Sequence, residues 1–344
     1  MPDSRMSAEI LEQPEILRRI LDEGWGEILS AARALREDGF RSVIIAARGT
    51  SDNAALYAKY LFEVSLGIPV ALASPSAFTL YESRMGLGGV LVIGISQSGE
   101  SKDVLETIRR SAELGATTLT ITNDETSSMA EVAGTHLFLR AGEEQSVAAT
   151  KTYTAELLVL YLLVSALRGE DSLGDEVRRL PEISKRVTGV GWQGVERYRY
   201  AEYMVATSRG YNLSTAEEAS LKLMETTYIM SQAFSAADLR HGPIAMIGLD
   251  FPVIVIAPPG KAQLNLGSLV DDLKQRGAEF VAITDDISIL EKASGKFEVP
   301  VQCPEELSPI IYAVPIQLFA ENLARLKGLN PDNPRGLSKV TETW

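Results

Sequence analysis

The feature that most constrains this 344-residue chain is that it repeats itself. Gly115 leads into an apolar stretch ending Ile121-Thr122-Asn123-Asp124, and Gly277 leads into one ending Ile283-Thr284-Asp285-Asp286, an offset of 277 − 115 = 162. The apolar run 91–95 with Gly99 is answered by 253–257 with Gly260, the glycines 161 residues apart. Arg48-Gly49 and Glu63 are answered by Arg209-Gly210 and Glu225, at 161 and then 162. Three matches at a nearly constant offset define two diverged copies of one domain. Apolar strands alternate with amphipathic helices in each copy, which predicts an α/β fold with a parallel sheet covered by helices on both faces.

The chain is long enough for two such domains, each with its own core. The pattern predicts N-terminal helices over 1–39, interrupted at Gly24 and Gly26, and a first domain over 40–168. A charged, partly helical linker at 169–198, a second domain at 199–329 and a tail at 330–344 complete it. A net charge of −13 argues against nucleic acid and against anionic membrane surfaces as partners. Two histidines and one cysteine, Cys303, leave no internal disulfide and argue against a dedicated transition-metal site. No secretory signal is visible in the first twelve residues, and the longest apolar run, 157–164, falls far short of the roughly 20 residues of a membrane span. The expected compartment is the cytoplasm.

Residues 91–101 read Leu-Val-Ile-Gly-Ile-Ser-Gln-Ser-Gly-Glu-Ser and are followed by Val104, Leu105, Ile108 and Ala112 at helical spacing. This is a buried strand, a tight loop and a helix N-terminus, whose unpaired N–H groups favour an anion. Ser96, Ser98 and Ser101 add hydroxyl donors, while the glycine spacing and lysine of nucleotide-binding loops are missing. A plain helix-capping turn fits the loop equally well. A second loop of this kind is Gly49-Thr50-Ser51. Copy two has Pro258-Pro259 where copy one has Gln97-Ser98, so only copy one is expected to hold a phosphate.

Copy two carries other chemistry. Within an expected helix at 215–230, Glu218, Lys222 and Glu225 share one face, and Leu221, Met224 and Tyr228 form a separate apolar stripe. A solvated ion-pair ladder is the plainer reading of that spacing. Arg240-His241-Gly242-Pro243 places a loop histidine nearby in sequence, and carboxylates with a histidine make an acid–base set. His136, at the start of an apolar strand, is read as structural. The stretch 330–339 is too rich in Pro, Asn and Gly for regular structure; it is either a frayed tail or a fixed one carrying Lys339.

Taken together, these residues resemble the sugar isomerase (SIS) family. The similarity to the isomerase half of glucosamine-6-phosphate synthases runs from about Glu9 to Lys339. It rests on Glu9-Ile10 with Glu12-Gln13-Pro14, Gly49-Thr50-Ser51, Ser96-Gln97-Ser98-Gly99-Glu100, Val147-Ala148 with Thr150-Lys151, Leu221-Lys222-Leu223 with Glu225, His241-Gly242-Pro243, and Pro334-Arg335 with Lys339. The resemblance implies two tandem SIS domains, each with a five-stranded flavodoxin-like sheet. It implies a phosphate site at Thr50, Ser51, Ser96, Gln97, Ser98 and Ser101. Gly49, Gly99, Val147, Ala149 and Lys151 complete the implied substrate contacts. Glu225 is implied as the base moving a proton between C1 and C2, with Glu218 as the competing candidate. His241, donated across a homodimer, opens the sugar ring, and Lys339 and Lys222 assist. No cofactor is implied.

Two departures bear on the activity. The sequence has no counterpart of the glutaminase domain with which the synthases begin, and Ala149 stands where they carry a serine. Arg48, where synthases commonly have cysteine, and the run Ala54-Ala55, Tyr57-Ala58-Lys59-Tyr60-Leu61 are more similar to stand-alone deaminase-type members. The expectation is therefore a deaminase converting glucosamine 6-phosphate to fructose 6-phosphate and ammonia. The alternatives are a fructosamine 6-phosphate deglycase and a non-catalytic sugar-phosphate sensor.

Overall fold

The computed structural model describes residues 4–339; residues 1–3 of the expected N-terminal helices and 340–344 of the expected tail lie outside the described residues. The chain forms two compact units. Among the described residues, one comprises 15–144, 151–178 and 338–339, and carries the first repeat. The other comprises 4–14, 145–150 and 179–337, and carries the second.

Helix α1 (Arg5–Arg19) passes through a five-residue π-turn, Ile20–Gly24, into α2 (Trp25–Asp38). The expected interruption at Gly24 and Gly26 is thus a widened turn rather than a break. Gly24 keeps helical angles and is buried with Ile20 and Leu21, while α2 buries Ile28, Ala31, Ala32 and Leu35.

The first repeat runs β1 (Ser42–Ala46), α3 (Thr50–Leu61), β2 (Val70–Leu72), α4 (Pro75–Thr79), β3 (Val90–Ser96), α5 (Lys102–Glu113), β4 (Thr117–Thr122), α6 (Ser128–Val132), β5 (Thr135–Phe138) and α7 (Lys151–Leu167). The five strands are parallel, in the order β2-β1-β3-β4-β5. Ile93 lies in register with Ile45 on one side and Leu119 on the other. These central strands are apolar runs because both of their faces are covered. The chain steps outward from β1 to β2 and returns past β1 to β3. Ligands of open α/β sheets bind where the order reverses, beyond the carboxyl ends of the strands. The loops after β1 and β3 stand at that place.

The segment expected as a linker contains α8 (Asp175–Arg178) and α9 (Leu180–Thr188). The second repeat then runs β6 (Tyr203–Ser208), α10 (Leu213–Thr227), β7 (Met230–Ser235), α11 (Ala236–Arg240), β8 (Pro252–Ala257), α12 (Gln263–Gln275), β9 (Glu279–Thr284), α13 (Ile287–Leu290), β10 (Gly295–Glu298) and α14 (Ser308–Leu326). Its parallel sheet has the order β7-β6-β8-β9-β10, the same topology as the first. The helix expected at 215–230 ends earlier, at Thr227, and Met230 opens β7. β7 is an edge strand whose first residues alternate between exposed and buried. No helix among the described residues is long and apolar enough to cross a membrane.

Candidate active site

In the unit of the first repeat, Gly49 precedes α3, which opens with Thr50 and Ser51. Ser51 donates its hydroxyl to Glu156 Oε1 at 2.7 Å, inside the core beneath α7. The loop after β3 is held by its own hydroxyls. Ser96 Oγ accepts from the Gly99 amide at 3.1 Å and lies 3.3 Å from Ser101 Oγ, and Ser98 Oγ accepts from the Glu100 amide at 3.3 Å. Gly99 has φ +68°, and a Cβ there would lie 2.2 Å from Ser127 Oγ, so both the turn and the close approach require glycine. Gln97 is pinned through its carbonyl, which accepts from the Asn123 amide at 3.0 Å. The predicted phosphate residues Gly49, Thr50, Ser51, Ser96, Gln97, Ser98, Gly99 and Ser101 therefore occupy two neighbouring strand-to-helix loops of one sheet.

Sequence reasoning missed the acid beside this loop. Asp103 is buried in the first turn of α5 and accepts from Arg48 Nε at 2.6 Å. Arg48 is half exposed and brings a cation to the switch point. Burial holds the Asp52 carboxyl above its usual range, against the pull of Arg48. Lys151 is buried at the start of α7. Glu144 is also buried and had no role in the sequence reading. It accepts from the Thr152 hydroxyl at 2.7 Å and the Thr152 amide at 3.2 Å, and from Lys339 Nζ at 2.8 Å. Lys339 is thus held, which favours the fixed tail over the frayed one.

In the unit of the second repeat, the ion-pair face of α10 is not solvated, which corrects the plainer reading. Glu218 and Lys222 have fully buried side chains, and Glu225 is 23% exposed. Lys222 Nζ lies 3.4 Å from Glu218 Oε1 and hydrogen-bonds Glu225 Oε2. The proposed apolar stripe faces outward instead: Met224 is 43% exposed in this chain and Tyr228 is partly buried. α10 is enclosed by α14, β6 and β7, and a stripe that neutralises itself can take the buried side. Burial alone would lower the proton affinity of Lys222, but the two carboxylates outweigh it, and the net shift is upward. The ammonium stays charged and holds Glu225 at the only partly exposed position of the three.

His241 is exposed after α11, its amide donating to Asp238 O at 3.0 Å. Val147 and Ala149 lie in the irregular segment 145–150. The segment is tied down by Glu9, which accepts from the Gln145 and Ser146 amides, and by Gln317, which donates to Thr150 O at 3.1 Å and accepts from Gln13 at 2.5 Å. This gives Glu9 and Gln13, noted in the sequence only as matching residues, a structural task. Arg335 stacks 4.2 Å over Tyr228, and its amide donates to the Tyr228 hydroxyl. A cleft of about 590 Å³ lined by Arg197, Tyr203, Asp250 and Glu279 lies at the starts of β6 and β9, the opposite end of the second sheet from these loops.

Sheets of this topology, twice over, with hydroxyl loops at the first switch point, define a family. The SIS domain model matches residues 40–166 and 199–326, and the chain belongs to that family. It is 36% identical over 343 residues to the isomerizing glutamine–fructose-6-phosphate aminotransferase of Methanothermobacter thermautotrophicus, covering 98% of this chain and 57% of that protein. The chain therefore spans a little over half the length of the curated relatives it matches. A solved structure of a provisionally assigned phosphosugar isomerase from Silicibacter pomeroyi DSS-3 has 30% identity and a TM-score of 0.88, covering 96% of this chain and 100% of that one. The glucosamine-6-phosphate deaminase of Thermotoga maritima shares the fold at a TM-score of 0.80 and 21% identity, covering 99% and 100%.

Proposed function

We propose that this chain is an SIS-family enzyme acting on a 6-phosphorylated amino sugar, converting glucosamine 6-phosphate and water to fructose 6-phosphate and ammonia. The observation that carries the reading is Glu225, a partly exposed carboxylate fixed by a buried ammonium. A general base must be held where it can reach its proton, and the hydrogen bond from Lys222 fixes the Glu225 carboxylate at the partly exposed end of the trio. The relatives support the substrate class, since their names describe phosphosugar chemistry.

In this reading the Thr50, Ser96, Ser98 and Ser101 hydroxyls and the α5 N-terminus take the phosphate, and Ser51, whose hydroxyl is given to Glu156, contributes only its backbone amide. His241 of a second copy of the chain opens the ring. Glu225 removes the C2 proton from the open aldehyde, and the electron pair moves to an enolamine. The proton returns at C1, leaving an imine at C2. Water adds to that imine and ammonia leaves, giving the ketose. Lys222 and Lys339 steady the oxygens that gain charge.

The test is ammonia release across a panel of amino-sugar 6-phosphates and fructosamine 6-phosphates. Glu225→Gln is expected to cut kcat by at least about 10²-fold while KM stays nearly unchanged. Ser96→Ala is expected to weaken binding about tenfold, the loss of one hydrogen bond to a charged acceptor. If Glu218→Gln stops C2 proton exchange while Glu225→Gln retains it, the base is Glu218. Release of a larger amine from fructosamine 6-phosphates alone would identify a deglycase. Turnover of no phosphosugar would overturn the reading.

A further inference from the structure

The second repeat has the same pair of strand-to-helix loops at its own switch point. They follow β6 and β8, with Gly210 and Gly260 standing 161 residues after Gly49 and Gly99. A single side chain from a distant segment fills this place. Glu305 Oε2 accepts from the Lys261 amide at 2.7 Å, and Oε1 from the Ala262 amide at 3.3 Å. These amides immediately precede α12, whose N-cap is Ala262, and no side chain caps that helix locally. The same Oε1 is 3.8 Å from where a Cβ on Gly210 would be, so the carboxylate stands beside the β6 loop as well. A Cβ on Gly260 would lie 2.4 Å from Oε2, so that glycine is required by the carboxylate itself. The segment bearing Glu305 is anchored as well. The Ser308 hydroxyl donates to Glu305 O at 2.6 Å and accepts from Asn212 Nδ2 at 2.6 Å, two residues beyond Gly210.

In the first repeat, the corresponding connection between the last strand and the last helix turns its acid elsewhere. Glu144 serves Thr152 and Lys339. The two repeats thus differ in more than the loss of loop hydroxyls. In the second repeat a carboxylate, with the charge and the two acceptor oxygens of an oxyanion, caps the loop after β8.

We propose that Glu305 is a built-in anion occupying a second, retained oxyanion site formed by the β6 and β8 loops, so that this site takes inorganic phosphate only when Glu305 is removed. The inference stands on the second repeat alone. It uses the reading of the first repeat as a phosphate site only for comparison.

The experiment is equilibrium dialysis of the full chain against radiolabelled orthophosphate, with wild type, Glu305→Ala, Ser96→Ala and the double variant. Glu305→Ala is expected to bind one orthophosphate more per chain than wild type, and the double variant is expected to keep that extra site while losing the one that Ser96 serves. Equal stoichiometry in wild type and Glu305→Ala overturns the proposal, whatever the first repeat does. No binding by wild type with one site in Glu305→Ala would overturn the first-repeat reading while upholding this one. If Glu305→Ala does not fold, Glu305→Gln keeps the shape and removes the charge. Its Tm should fall below wild type and rise several degrees more than wild type on adding orthophosphate; an equal response in both overturns the proposal.

Discussion

Lys222→Met removes the ammonium from the middle of a buried trio and keeps most of the side-chain volume. Lys222 Nζ is 3.4 Å from Glu218 Oε1, and both side chains are fully buried. At an effective dielectric of about 20, attraction across that distance is about 5 kcal/mol. Removing the lysine also removes its own desolvation cost, so the net loss falls in the range of about 3–5 kcal/mol found when one partner of a buried pair is deleted. Trp192 packs 4.9 Å from Phe319 of α14, the helix against α10, so its fluorescence reports this unit. Urea unfolding followed by Trp192, with Trp25 and Trp344 replaced by Phe, gives the stability directly. Adding Glu218→Gln to Lys222→Met should recover part of the loss, because a neutral amide needs no counterion. The elevated proton affinity of Lys222 means its contribution is complete below the unfolded-chain value of 10.5 and fades only as pH rises above it. A loss below about 1 kcal/mol, the value of an exposed pair, would refute the argument, as would strict additivity in the double variant.

Gly99→Ala puts a Cβ 2.2 Å from Ser127 Oγ at a φ of +68°, so it should cost about 1–3 kcal/mol and abolish orthophosphate binding; an unchanged Tm would refute this. His136 is pushed below its ordinary 6.5 by burial, and its Nε2 lies 2.9 Å from Thr122 Oγ1. The unfolded chain takes up a proton that the folded one resists, so stability should fall as pH drops below 6.5. Tm measured from pH 7 to 5 should show a shallower fall in His136→Gln than in wild type, and parallel curves would contradict the assignment.

The doubled sheet was legible because its inner strands are short apolar runs ending in glycine-bearing loops, a pattern that survives divergence between copies. β7 was not, since an edge strand such as Met230–Ser235 is half solvated and reads like the end of the preceding helix. On α10, spacing identified two stripes but could not say which one is buried. Charge alone favoured exposing Glu218 and Lys222, and only the enclosing elements make a self-neutralising stripe the inner one. The acids that organise the loops were invisible for another reason. Asp103 meets Arg48 across 55 residues and Glu144 meets Lys339 across 195, separations at which sequence periodicity carries no signal.

The π-turn at Ile20–Gly24 sets a rotational phase. Ile16, Ile20, Gly24 and Ile28 are all buried, each four residues after the last. An α-helix advances about 100° per residue, so three such steps on an unbroken helix would carry Ile28 about 120° away from the face of Ile16. The π-turn absorbs about one residue of that advance and returns Ile28, Ala31, Ala32 and Leu35 to the inner side. Losing one residue here would regularise the hydrogen bonding and still leave the buried face of α2 in phase with Ile16, because eleven α-helical steps turn about as far as the twelve residues now do. In this stretch a one-residue deletion is a shortening rather than a rotation, whereas a one-residue insertion would turn Ile28, Ala31, Ala32 and Leu35 about 100° away from the inner side.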